Sequence, residues 1–322
     1  MNRVVITGMG AITPLGNTVT EFWDGIKNGK NGIAAITNFD ASETGISVAG
    51  EVKDFDATKY MDRKEYKRMD LFSQYAVAAS AQAVEQSGID MEKIDADRFG
   101  VTIGSGVGGF ITMESGIIKM HEKGPKRVPP MFVPMAIGNM AAGNTAIKFG
   151  AKGPSMDIVT ACASATNSIG EAFRSIKHGY ADLMLAGGSE ATVCEIGIAG
   201  FAALTALSTS TDPDRASIPF DKERNGFVMG EGAGILMLEN LDHALARGAN
   251  ILAEVVGYGV TCDAYHMTAP SADGSGAGKA MILAMKEAGI TPAQVDYINA
   301  HGTSTPANDS GETAAIKYAF GE

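Results

Sequence analysis

Cysteine is scarce: Cys162, Cys194 and Cys262 are the only three in 322 residues, far apart and without a C-x-x-C spacing. That argues against a disulfide framework and against a structural zinc site, and it fits the reducing cytoplasm. Positive charge is in deficit, with 26 Lys and Arg against 37 Asp and Glu and a net charge of −11. A chain of that sign is poorly matched to nucleic acid, whose non-specific affinity comes from basic surface. Long apolar runs are missing. The longest mostly apolar stretch, Ile196 to Leu207, is too short to span a bilayer, so no membrane insertion is expected. Met1-Asn2-Arg3 leads directly into Val4-Val5-Ile6, and no signal peptide is read there. Aromatic residues make up only 7%.

Glycine is abundant, with 40 residues. Glycine with few aromatics suits an α/β protein of tight turns and close backbone packing. Strand and helix signals alternate along the chain. Apolar strands are expected at Val4–Thr7, Phe99–Ile103, Met156–Thr160, Leu183–Ala186 and Ile235–Leu238, with helices at Leu71–Val84, Ile137–Phe149, Ala163–His178 and Leu241–Arg247. A further helix opens on the capping pattern Thr18-x-x-Glu21. The pattern then starts again. Ala253 to Gly259 echoes Val4 to Gly10, both apolar strands that end in a G-x-G turn. Helices at Gly276–Ala288 and Gly311–Phe320 flank a strand at Val295–Ala300. Two similar halves place a boundary near Asn250, giving domains 1–250 and 251–322.

Cys162 is the best nucleophile candidate. A strand ends at Thr160, a small-residue turn follows, and a helix begins whose apolar face is Ile169, Ala172, Phe173 and Ile176. The thiol would sit at the helix N-terminus, where the unpaired N–H groups favour a thiolate. A buried structural cysteine fits the local sequence equally well. Cys194 and Cys262 lack this setting and read as structural. Among five histidines, His301 stands out because it ends an expected strand and opens His301-Gly302-Thr303-Ser304-Thr305-Pro306. The ends of strands are where α/β proteins place ligands, although a loop histidine capping the next helix is also consistent. Gly104-Ser105-Gly106-Val107-Gly108-Gly109 matches the dinucleotide pattern G-x-G-x-x-G. No Asp or Glu occurs between Glu122 and Asp157, so the acidic residue of that fingerprint is missing and a nucleotide site is not expected.

Four stretches taken together resemble the β-ketoacyl-acyl-carrier-protein synthases, most closely the bacterial type II elongating enzymes. They are VVITGMGAITPLGN at the N-terminus, VTACASATNSIGEAF around Cys162, PFDKERNGFVMGEGAG from Pro219 to Gly234, and NAHGTSTPAND from Asn299 to Asp309. The resemblance implies the thiolase fold, two similar βαβαβ-type halves in five α-β-α-β-α layers. It also implies a homodimer. The implied reaction belongs to fatty-acid synthesis: Cys162 takes an acyl chain from acyl-carrier protein, malonyl-carrier protein loses CO₂, and its enolate attacks the thioester. The product is a β-ketoacyl-carrier protein two carbons longer.

By the same resemblance His301 is a catalytic donor, and Thr303 and Thr305 bind the phosphopantetheine arm. Phe201 and Val107 line the acyl pocket, and Lys64, Lys67 and Arg68 meet the acidic carrier protein. A solvated basic face is the alternative for that patch. No cofactor is expected, since the phosphopantetheine arrives on the carrier protein, and no metal site is read. The family continues about 90 residues beyond Glu322 and places a second histidine and a lysine there. The expectation is therefore an incomplete second half and impaired decarboxylation. Thr205 stands where many relatives carry a basic residue. A coenzyme A thiolase, and a non-catalytic fragment that binds carrier protein, are the alternative readings.

Overall fold

The structure, a computed structural model, describes residues 1–321. Its strands are β1 (Val4–Ile12), β2 (Ala34–Ala35), β3 (Val48–Ala49), β4 (Phe99–Gly104), β5 (Ser155–Met156), β6 (Leu183–Glu190), β7 (Gly232–Asn240) and β8 (Ala253–Val255). Its helices are α1 (Val19–Lys27), α2 (Arg63–Tyr66), α3 (Leu71–Ser87), α4 (Phe110–Lys123), α5 (Phe132–Ala136), α6 (Met140–Phe149), α7 (Ser164–Lys177), α8 (Glu195–Ala203), α9 (Pro213–Ala216), α10 (Leu241–Ala246), α11 (Ser275–Ala288) and α12 (Pro306–Phe320). Two compact units emerge. The first comprises Met1–Gly32, Gly50–Gly197 and Gly230–Val255. The second comprises Ile33–Ala49, Ile198–Met229 and the chain from Val256 onward. The expected boundary near Asn250 falls close to the last division, but β8 stays with the first unit because it pairs with β1.

The first unit is built on a six-stranded mixed sheet in the order β5-β4-β6-β7-β1-β8. Strands β5, β4 and β6 run parallel, while β7 is antiparallel to both β6 and β1. Successive side chains of a strand point to opposite faces. Ser189 of β6 donates to the Phe72 carbonyl of α3 at 2.7 Å, whereas its neighbour Gly188 faces Ala165 of α7. Helices α3 and α7 therefore cover opposite faces of the sheet. Helix α3 begins at its cap Asp70 and stops at Gly88, whose φ of +61° is open to glycine. It is buried along most of its length, and with β4, β6 and β7 it forms a core of Phe72, Tyr75, Phe99, Ile103, Leu185, Ile235 and Met237.

Strand β1 does not turn at Gly8-Met9-Gly10, as the sequence implied, but continues to Ile12. The two glycines serve a different purpose. A Cβ on Gly8 or Gly10 would collide with the carbonyl oxygens of Ala83 and Ala79, one turn apart on α3. The second unit repeats the device. A Cβ on Gly257 or Gly259 would collide with the carbonyl oxygens of Ala284 and Ala280 on α11. The echo between residues 4–10 and 253–259 is thus a shared packing solution, glycine backbone laid directly on helix backbone, within β1 in the first case and just after β8 in the second.

Several expected elements are altered. The strand expected at Met156–Thr160 is only Ser155–Met156, and the strand expected at Val295–Ala300 does not form among the described residues. The helix expected over 137–149 is interrupted at Ile137–Asn139 between α5 and α6. Helix α12 starts at Pro306 rather than Gly311, capped by Thr305, whose hydroxyl accepts from the Asn308 amide. No helix among the described residues is long and apolar enough to cross a membrane.

Substituting Gly10→Val or Gly259→Val forces the packed backbones apart. Each should lower stability by about 3 kcal/mol, at the upper end of the usual cost of overpacking, as measured by urea unfolding. A loss near zero would contradict the contact.

Candidate active site

The turn between β5 and α7 presents Cys162. Ala161 takes φ +51°, a left-handed value that costs an L-residue energy. Ala161–Ala163 then form a 3₁₀ turn that runs into α7 at Ser164. The Ser164 side chain ties the turn shut: it accepts from the Thr160 amide at 2.9 Å and donates to the Ala161 carbonyl at 2.7 Å. Asn167 donates to the Thr160 hydroxyl at 2.7 Å. Cys162 is exposed on this turn, at the N-terminal end of a 14-residue helix. The start of α7 can lie this close to the sheet because Gly104, the last residue of β4, and Gly188, near the end of β6, have no side chains. A Cβ on Gly104 would stand 2.7 Å from the Ser164 carbonyl oxygen, and one on Gly188 2.5 Å from the Ala165 Cβ.

The glycine-rich stretch after β4 carries no open cradle for a phosphate. Its amides are already taken by the protein's own acceptors. The Ser105 amide donates to Asp157 at 3.1 Å, and the Gly106 amide donates to Glu190 at 2.7 Å. The Gly108 amide donates to the Ser105 hydroxyl at 3.0 Å, which itself donates to Glu190 at 2.9 Å. The Gly109 amide donates to the Ala136 carbonyl. Burial pushes both the Glu190 and the Asp157 carboxyls above the ordinary range.

In the second unit, His301 is exposed at the head of a loop held from two sides. Glu312 of α12 accepts from the His301 amide at 2.6 Å and from the Gly302 amide at 2.8 Å. Ser304, buried with φ +67°, accepts from the Ile218 amide at 3.0 Å and through its carbonyl from the Gly226 amide at 3.1 Å. Asp309 is 1% exposed and accepts from the amides of Phe220 at 2.7 Å and Ser304 at 3.2 Å. Arg224 faces the same carboxylate at 3.2 Å. The PFDKERNGF segment and the HGTST segment, distant in sequence, are one clamped assembly. Phe201 joins it by an edge-to-face contact with Phe227, ring centroids 5.5 Å apart. The hydroxyls of Thr303 and Thr305 lie 2.9 Å from each other.

Family models match nearly the whole chain: residues 1–244 match the β-ketoacyl synthase N-terminal domain, and residues 252–322 its C-terminal domain. The chain belongs to the β-ketoacyl synthase family. It is 55% identical over 320 residues to a 3-oxoacyl-[acyl-carrier-protein] synthase 2 from Synechocystis sp. and 53% identical to one from Staphylococcus aureus. Each match covers 99% of this chain and 77% of the relative. Among solved structures, a β-ketoacyl synthase from Burkholderia phymatum superposes with a TM-score of 0.91 at 37% identity, covering 100% of this chain and 79% of that one. A type II polyketide ketosynthase in complex with its acyl-carrier protein superposes with a TM-score of 0.91 at 36% identity, covering 100% of this chain and 78% of that one. The fold is accordingly the thiolase fold of this family.

In this β-ketoacyl synthase the remaining candidates fall as follows. Val107 is half-buried on the carboxylate-held turn, and Lys64, Lys67 and Arg68 are exposed on and just after α2, which Asp62 and Glu65 cap reciprocally. Cys194 is buried, and burial pushes its thiol up to about 12, as a structural cysteine requires. Cys262, also read as structural, is instead exposed in the second unit. Thr205 is exposed with φ +53°. No group of three His, Cys, Asp or Glu able to hold a metal occurs among the described residues. Sequence reasoning did not single out Glu190, Asp157, Glu312 or Asp309. Their one sequence signal is position, since Asp157 and Glu190 close or follow apolar strands at the sheet edge that carries the nucleophile turn.

Replacing Asp309 by Ala leaves the amides of Phe220 and Ser304 without their acceptor and the Arg224 guanidinium without its carboxylate, although it keeps the carbonyls of Asp221, Thr305 and Pro306. The variant should lose about 3 kcal/mol in urea unfolding, the usual cost of breaking a buried ion pair from one side, and Asp309→Asn should lose less. Equal stability of all three proteins would contradict the clamp.

Proposed function

We propose that this β-ketoacyl synthase is a condensing enzyme of fatty-acid elongation. The observation that carries the reading is the exposed Cys162, held on a strained turn at the N-terminus of α7. The relatives' shared name, 3-oxoacyl-[acyl-carrier-protein] synthase 2, supplies the chemistry. The Cys162 sulfur attacks the thioester carbonyl of an acyl-carrier protein, and the carrier's thiol leaves. Covalent catalysis of this kind splits one difficult step into two easier ones. Malonyl-carrier protein then loses CO₂, and the enolate carbon attacks the Cys162 thioester. The thiol is released with the β-ketoacyl-carrier protein.

Charge on the thioester oxygens must be met by aimed donors. His301 donates to the enolate oxygen, and the Cys162 amide to the oxyanion of acyl transfer. Thr303 and Thr305 hydrogen-bond the phosphopantetheine arm, which arrives on the substrate, so the reaction needs no separate cofactor. Val107 and Phe201 line the acyl pocket. The exposed Lys64, Lys67 and Arg68 bind the acidic carrier protein, consistent with the carrier-protein complex solved for a ketosynthase of similar fold. The enzyme works in the cytoplasm as a homodimer. Support for the dimer comes from β5, an edge strand that among the described residues pairs only with β4. Near that edge Met156 and Val159 are 41% and 60% exposed, an apolar edge of the kind a second copy covers.

Incubation with an acyl-carrier-protein thioester should add one acyl group per chain, mapped to the Cys162 peptide and abolished in Cys162→Ala. Cys194 and Cys262 should stay unmodified. An adduct that survives in Cys162→Ala, or none on the folded parent, would remove this reading.

A further inference from the structure

The carboxylates behind the nucleophile turn have no part in the chemistry just described, yet they are placed with care. Strands β5, β4 and β6 run parallel, so their C-terminal ends share one edge of the sheet. The turn after the central strand β4 is gripped from both neighbours, by Asp157 just beyond β5 and by Glu190 at the end of β6. Glu190 takes the larger share, with one oxygen on the Ser105 hydroxyl and the other on the Gly106 amide. The gripped turn lies against the nucleophile turn: a Cβ on Gly106 would stand 3.8 Å from the carbonyl oxygen of Ala161, the residue before Cys162. An ionised carboxylate only accepts, which suits two converging donors, whereas its protonated form must turn one oxygen into a donor.

We propose that Glu190 is a positioning residue, whose hydrogen bonds to the Ser105 hydroxyl and the Gly106 amide fix the Val107 turn beside Cys162 and thereby set how well the nucleophile accepts long acyl chains. The inference rests on the proposed role of Val107 in the acyl pocket. Asp157 is the charged group that faces Glu190, and its negative charge makes proton uptake by Glu190 easier. Burial acts in the same direction, so Glu190 takes up its proton above the ordinary carboxylate range. The grip is complete at higher pH and slackens as pH falls through that raised value. Glu190→Gln has nearly the same shape but cannot titrate.

The test compares the parent, Glu190→Gln and Ser105→Ala by the rate at which Cys162 is labelled with N-hexadecyl iodoacetamide relative to iodoacetamide, across the acid range, with peptide mapping. The same ratio is measured with hexadecanoyl- and octanoyl-carrier-protein thioesters. The parent should prefer the long reagent constantly at higher pH and lose that preference on acidification. Glu190→Gln should show a long-chain preference lower by roughly tenfold, the worth of one charge-assisted hydrogen bond, with no pH dependence. The loss should lie in KM for the long thioester rather than in kcat. Ser105→Ala keeps the carboxylate and should show a smaller loss in the same direction, which decides the matter if Glu190→Gln does not fold. Ratios that match the parent's in size and pH profile overturn the proposal. Alkylation of Cys162 without acylation by either thioester removes the condensing-enzyme reading instead, and the alkylation ratios still decide the role of Glu190.

Discussion

The chemistry of this chain depends on two missing side chains. Gly104 at the end of β4 and Gly188 near the end of β6 pair on adjacent parallel strands, and the first turn of α7 lies in the space that their Cβ atoms would fill. Only that approach lets the chain leave β5, reverse through Ala161 in a left-handed conformation, and present Cys162 exposed at a helix N-terminus. The strain at Ala161 is held by hydrogen bonds from one serine, Ser164, which bridges both sides of the turn. Strain of this kind persists only where the surroundings over-determine it. The glycines beneath and the serine across the turn supply that determination.

The same logic runs through both units. Strand backbone lies on helix backbone at Gly8 and Gly10 against α3, and the backbone that follows β8 lies on α11 at Gly257 and Gly259. Alanine on the helix and glycine opposite it are two halves of one contact, which accords with a composition rich in glycine and poor in aromatics. The Val107 and His301 loops are fixed by carboxylates: the half-buried Glu190 and Asp157 hold the Val107 turn, while the half-buried Glu312 and the buried Asp309 hold the His301 loop. Such acceptors converge several amides on one point, and a loop so tied is rigid without being part of a strand or helix.

Much of this was legible in the sequence because period and punctuation agree there. Helix α7 declares itself by Ile169, Ala172, Phe173 and Ile176, and β4, β6 and β7 by apolar runs close to their observed bounds. Cys162 was singled out by its place ahead of α7, which the structure keeps, and His301 by an expected strand that the structure does not form. Other features failed for identifiable reasons. G-x-G reads as a turn, but in β1 it marks close packing, which only the partner helix reveals. Residues 295–300 have the composition of a strand and no ladder, because strand formation depends on a partner as well as on propensity. The turn after β4 looks like a phosphate loop until Glu190, 85 residues from Ser105, is seen occupying it. The anchoring acids carry no local periodicity and act across long separations, so a single sequence gives only their place after apolar strands.

The central claim is that glycine at 188 makes room for the α7 N-terminus and so presents Cys162. The most direct test is the rate of Cys162 acylation by an acyl-carrier-protein thioester in Gly188→Ala, Ala165→Gly and the double variant. The added methyl of Gly188→Ala meets the Ala165 Cβ, and the second substitution removes that atom. The account predicts slow acylation in Gly188→Ala and recovery in the double variant, a coupling that two independent sites would not show. Acylation at the parent rate in Gly188→Ala, or no recovery in a folded double variant, would contradict it.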